Sequence, residues 1–220
     1  MTYKEKLRLV TGLYLVTLVI FGAQQVASFL SGGVSQEVFE LFADPVDYST
    51  RMSLAGDSLR VILMLDLFFI IGFSTSIGMT ALTHADINRA AAWIAGLGII
   101  LVAGLDLFEN IHLFLSIDMV DGGQQIPAER ILAQAQISAM KWMVVAFVLV
   151  MFSFTLPSET ALERFLIWST RILMPLGTGL FVTGAFDARL LGDMTILIAM
   201  SGGFALLALT TWLRLQRTGD

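Results

Sequence analysis

Five residues of this chain have the types and spacing to do chemistry inside a membrane: Asp66, Asp106, Glu109, Asn110 and Lys141. Three of them sit in GLDLFENIHLF, residues 104–114, a stretch otherwise made for hydrocarbon. Carboxylates beside an ammonium can exchange a proton, hold a cation or act as general acid and base. In the middle of a bilayer each ionisable group costs about 2.5–3.5 kcal/mol on the insertion scale. Four left unpaired would cost on the order of 10 kcal/mol, comparable with the stability of an ordinary domain. They must face one another, water or a ligand. Three carboxylates against one ammonium leave negative charge that a shared proton or a bound cation would balance.

The elements that position these residues follow from composition. Of 220 residues, 56% are hydrophobic and 14% charged, and the mean hydropathy is +0.81. A soluble protein of this size could not hide so much apolar surface. The apolar runs reach the roughly 20 residues needed to cross a bilayer. The expected fold is all-α: a polytopic membrane protein, one transmembrane domain over 1–220 built as a six-transmembrane-helix bundle. The spans are expected at about 8–30, 59–82, 90–117, 132–156, 162–185 and 192–213. The first is read as a membrane helix rather than a cleaved leader. SGG at 31–33, DP at 44–45, DGG at 121–123, LPSE at 156–159 and LGD at 191–193 break the pattern between spans. Thr160 and Glu163 fit a capping box opening the fifth helix.

Six spans place both termini on one side, with Lys4, Lys6, Arg8, Arg89, Arg164, Arg214 and Arg217. The other side carries Arg51, Arg60, Arg130 and Arg189 and most of the acids. The positive-inside rule then makes both termini cytoplasmic, in a bacterial inner membrane. In the outer loop, 31–58, Val38, Leu41 and Phe42 follow helical spacing, with Glu37 just before them and Glu40 among them. This pattern suggests a short interfacial helix resting on lipid, with a lid over the bundle as the alternative.

Counting from the turns sets the depth of each polar group. Asp66 and Asp106 are equidistant from residue 86, inside the loop between the second and third spans. Both helices rise about 1.5 Å per residue, so the two aspartates should lie level. The next turn puts Glu109 level with Lys141. At about 100° per residue, Asp106, Glu109 and Asn110 share a face. Gln134 and Ser138 lie in a stripe with Lys141, and Gln24 lies in a stripe on the first helix. These three are expected at the periphery of the cluster. His112 is turned away from Asp106 and is at best marginal.

The chain has no cysteine and two histidines, His84 and His112. That arithmetic excludes a disulfide framework, a thiolate nucleophile, a bis-histidine haem and a Cys/His zinc site. No cofactor is expected beyond a proton or cation, and no metal site is assigned. The acidic balance, net −5, leaves no footprint for nucleic acid. Membrane lipid is the expected surrounding; a small cation, a lipid ligand, a membrane-protein partner or a second copy are the expected kinds of partner. Arg171 reads as structural and Pro175 as a kink in the fifth helix. Gly72, Gly96, Gly98, Gly202 and Gly203 read as close-packing sites.

An aspartate in one span, L-D-x-x-E-N in the next and a lysine in the third are here Asp66, Leu105-Asp106, Glu109-Asn110 and Lys141. This pattern resembles a loose group of uncharacterised bacterial multi-pass inner-membrane proteins. The resemblance spans the second to fourth helices, implies about six helices and brings no activity with it. Three functions fit the residues. The first is a proton- or cation-binding small transporter or channel-like protein. The second is a non-catalytic subunit or assembly factor with a structural polar network. The third is an intramembrane enzyme acting on a lipid or isoprenoid, for which a nucleophile and a phosphate-cradling loop are missing.

Overall fold

The computed structural model describes residues 1–217. It is all-helical: α1 Tyr3–Leu30, α2 Pro45–Thr83, α3 Arg89–Asp121, α4 Ala128–Ser153, α5 Ala161–Thr183 and α6 Arg189–Arg217. Short 3-10 turns occupy Glu37–Glu40 and Ala185–Asp187. All six α-helices are long and apolar enough to cross a membrane. Large apolar side chains such as Val19, Phe29 and Ile100 stand exposed along them. Lipid is the medium in which such a surface is stable.

Local chemistry explains the helix ends. Asp44 and Pro45, read from sequence as a break, start a helix instead. Asp44 Oδ1 accepts hydrogen bonds from the Val46 and Asp47 amides at 2.9 and 3.3 Å, and Pro45 needs no amide partner. Consequently α2 begins well before the expected residue 59. It kinks at Gly56, whose φ of 39° and ψ of −124° suit a residue without Cβ. The capping box of α5 is present. Thr160 Oγ1 accepts from the Glu163 amide at 3.2 Å, and Glu163 Oε2 accepts from the Thr160 amide at 2.9 Å. Pro175 lies inside a helix that continues to Thr183 and closes on left-handed Gly184.

The chain forms two compact units. One comprises Met1–Val19, Ile71–Val102 and Trp142–Asp220; the other comprises Ile20–Ile70 and Ala103–Lys141. In the first unit, hydroxyls tie helices together. Thr11 donates to Thr211 at 3.1 Å, and Tyr14 and Thr80 share a bond of 2.8 Å. Arg214 pairs with Glu163 at 2.7 Å and Glu159 at 3.2 Å. Arg171 donates to Ser153 at 2.8 Å with its guanidinium over the Phe154 ring, as a structural arginine would. Gly72 and Gly98 are close-packing sites, against Thr17 and Val148. Gly96, Gly202 and Gly203, expected to be the same, have open space where a Cβ would stand. The close approach of α5 and α6 is made instead by Gly177 and Gly192.

The second unit holds a hydrophobic core. Phe39, Tyr48, Met52, Leu59, Leu63, Leu113, Ile117, Ile126 and Ile131 are buried together. Arg60 of α2 bridges Asp118 and Asp121 of α3 at 2.7 and 2.8 Å. This core and these helices carry the candidate site.

Candidate functional site

Lys141 of α4 stands among three carboxylates. Its ammonium pairs with Glu109 and Asp106 of α3, the latter at 3.2 Å, and with Glu40 of the 3-10 turn at 3.1 Å. An ammonium has three N–H groups, one for each neighbour. Ser138 and Gln134, one and two turns earlier on α4, donate to the other oxygen of Glu109, Gln134 at 3.3 Å. Glu109 is thus supplied with donors on both oxygens, as an ionised carboxylate requires. Asp106 is supplied less well. Among the described residues its partners are Lys141 and the carboxyl of Glu109. It is also the most exposed of the group, its side chain 13% accessible against 0% for Glu109.

Asp66 belongs to an adjoining chain of amides. Gln24 of α1 donates to one of its oxygens at 3.0 Å and Asn110 of α3 to the other at 2.7 Å. Gln36, just before the 3-10 turn, donates in turn to Asn110 Oδ1 at 3.2 Å. Gln24, Asp66, Asn110 and Gln36 are all buried. Neutral donors let Asp66 carry charge without a cation of its own.

The five residues expected to form the cluster therefore meet within one unit. Lys141 and Glu109 pair as the depth count requires. Asp66 binds Asn110, one turn beyond Asp106 on α3 (close to the 5 Å uncertainty of a loop). Gln24, Gln134 and Ser138, expected at the periphery, touch the carboxylates directly. His112 lies outside the network beside Phe108, with no hydrogen-bond partner for Nδ1 among the described residues.

Sequence reasoning missed Gln36 and Glu40. Val38 and Phe42, expected to rest on lipid, stand exposed, and the opposite face packs into the protein. Phe39 and Glu40 are buried at 3% exposure each, whereas Val38 and Phe42 are 43% and 55% exposed. The available signal was an acid inside the apolar run VFELF, on a loop long enough to fold back.

Among the described residues, no group of three or more His, Cys, Asp or Glu is arranged to hold a metal ion. The Lys141 ammonium stands at the place among the carboxylates that a cation would take. The buried Gln134 Oε1 has no hydrogen-bond donor among the described residues. No family model, curated protein or solved structure matches the chain.

Proposed function

We propose that this chain is a small proton-binding transporter or channel-like protein of the bacterial inner membrane, with both termini cytoplasmic. Its Asp106–Glu109–Lys141 group takes up and releases the proton. The observation that carries the reading is the charge count. Three carboxyls, Glu40, Asp106 and Glu109, surround a single ammonium, and a fourth, Asp66, adjoins them through Asn110. Like charges in contact in a low-dielectric medium do not all ionise, and a proton held between them is the least costly compensation. The contact between the carboxyls of Asp106 and Glu109 needs a proton to be attractive. Asp106 is assigned as the exchanging group because it has the fewest fixed donors and the greatest exposure. Glu109 and Lys141 hold the charge against which it titrates.

Difference titration of purified wild-type and Asp106→Asn protein tests the assignment. The variant is expected to bind about one proton fewer per chain, with loss of a carboxyl band in the infrared difference spectrum. Equal proton uptake and an unchanged spectrum would remove Asp106 from the role. A second reading, a network that only fixes packing, is favoured by the full donor set around Glu109 and by the amide cradle of Asp66. It predicts a lower yield of folded Asp106→Asn protein with no change in proton binding per folded chain.

A further inference from the structure

The segment between α1 and the kink of α2 has two attachments of different kinds. Its chain ends are glycines in conformations that side chains avoid: Gly32 and Gly33 at φ 77° and 89°, and Gly56 at φ 39°. Such positions turn through large angles without a Cβ clash. Between them, its polar side chains are anchored in the site. Gln36 donates to Asn110, Glu40 pairs with Lys141, and Phe39 is seated in the hydrophobic core. Tyr48 adds a hydrogen bond to the Phe39 carbonyl at 3.0 Å.

We infer that Glu40 is the latch of a hinged wall. Its ion pair with Lys141 holds residues 34–44 over the carboxylate cluster, and its loss lets the segment swing away and admit water. The groups facing Glu40 are Lys141 from α4, Asp106 and Glu109 from α3, and Tyr48 from α2. Lys141 is the cation among these, and it is shared with two other carboxylates. Neutralising Glu40 removes its attraction to Lys141 and leaves the ammonium with its α3 partners. The Gln36 hydrogen bond and the Phe39 contacts, the other attachments described above, are uncharged. Opening at Glu40 would expose Asp106 to the aqueous phase. The hinge and the ion pair do not depend on the proton reading.

The absence of cysteine makes the test direct. Ser138→Cys places one thiol beside Glu109 in the cluster, at a position 1% exposed. Ala81→Cys, at a position 0% exposed in the other unit, serves as a control for general unfolding. Each is labelled with a water-soluble maleimide in the full-length protein in detergent, with and without Glu40→Gln. The expected result is labelling at 138 accelerated about tenfold or more by Glu40→Gln, because a buried ion pair is worth at least that factor. Glu40→Asp should restore slow labelling, and position 81 should stay unreactive throughout. Unchanged labelling at 138, or equal acceleration at 138 and 81, would overturn the latch. Proton binding by Asp106 is read separately in the difference titration, so failure of the proton reading leaves the latch standing and failure of the latch leaves the proton reading standing.

Discussion

Replacing Lys141 with methionine separates an electrostatic site from a packed one. The substitution keeps the length and apolar bulk of the side chain and deletes its charge, leaving Glu40, Asp106 and Glu109 facing one another. Removing one partner of a buried ion pair costs about 3–5 kcal/mol, because the other charge is stranded. For a chain of this size, 1 kcal/mol moves the melting temperature by roughly 2–4 °C, so the loss should be about 10 °C at neutral pH. The stranded carboxyls can escape by taking up protons. The difference between variant and wild type, each measured at the same pH, should therefore shrink toward about 2 °C as the solution is made acidic. Thermal unfolding of the purified proteins in detergent, followed by intrinsic tryptophan fluorescence, reads this directly. Adding Glu109→Gln to Lys141→Met should recover part of the loss, since it removes one of the stranded carboxylates. A deficit of the same size at every pH would refute the reasoning, because a cavity or misfit costs the same whether or not carboxyls are protonated.

Other positions give sharper, smaller tests. His84, buried just past the end of α2, has its pKa lowered to about 4, chiefly by burial and next by the nearby Arg214. The unfolded chain therefore binds a proton that the folded chain refuses, and stability falls as pH drops from about 6.5 toward 4. The full loss is of order 3 kcal/mol, from about 1.4 kcal/mol per unit; His84→Gln should flatten that part of the pH–melting profile. Glu163→Ala removes both the reciprocal half of the α5 cap and the nearer of the two carboxylates paired with Arg214, and should cost about 3 kcal/mol in thermal stability. Thr160→Ala removes a cap alone and should cost about 1 kcal/mol. Gly192→Ala drives a methyl toward the Gly177 carbonyl and the Phe181 backbone, at 2.8 and 2.9 Å. It should cost about 1–3 kcal/mol as overpacking, whereas Gly96→Ala, with nothing within 4 Å, should leave the melting temperature unchanged.

The parts of this fold that obey a period were legible in the sequence. A hydrocarbon-length run of apolar residues identifies a crossing helix, and antiparallel helices of equal rise bring equidistant residues together. Those two regularities suffice to place Glu109 against Lys141 and to bring Asp66 beside α3. Facing did less well. Gln24, Gln134 and Ser138 seemed peripheral because angles measured on one helix say nothing of how far an amide or hydroxyl reaches across to another. Glu40 was hidden for a different reason: its side chain is committed by contacts with α3 and α4, which a local pattern in a loop does not encode. Gly177 and Gly192 were passed over for Gly96, Gly202 and Gly203 because small residues permit close approach without requiring it.

The amides around Asp66 have a polarity. Gln36 points its N–H at Asn110, and Asn110 points its own at Asp66, so every dipole in this row is oriented by the charge at its end. An amide presents a donor from one face and an acceptor from the other. A neutral Asp66 offers a hydroxyl, which is satisfied by the oxygen of Asn110 rather than its nitrogen. Turning that amide would place its nitrogen toward Gln36, which must then answer with oxygen. The charge of an acid on α2 is in this way written into the direction of a hydrogen bond on the outer segment, with no ion crossing the distance between them.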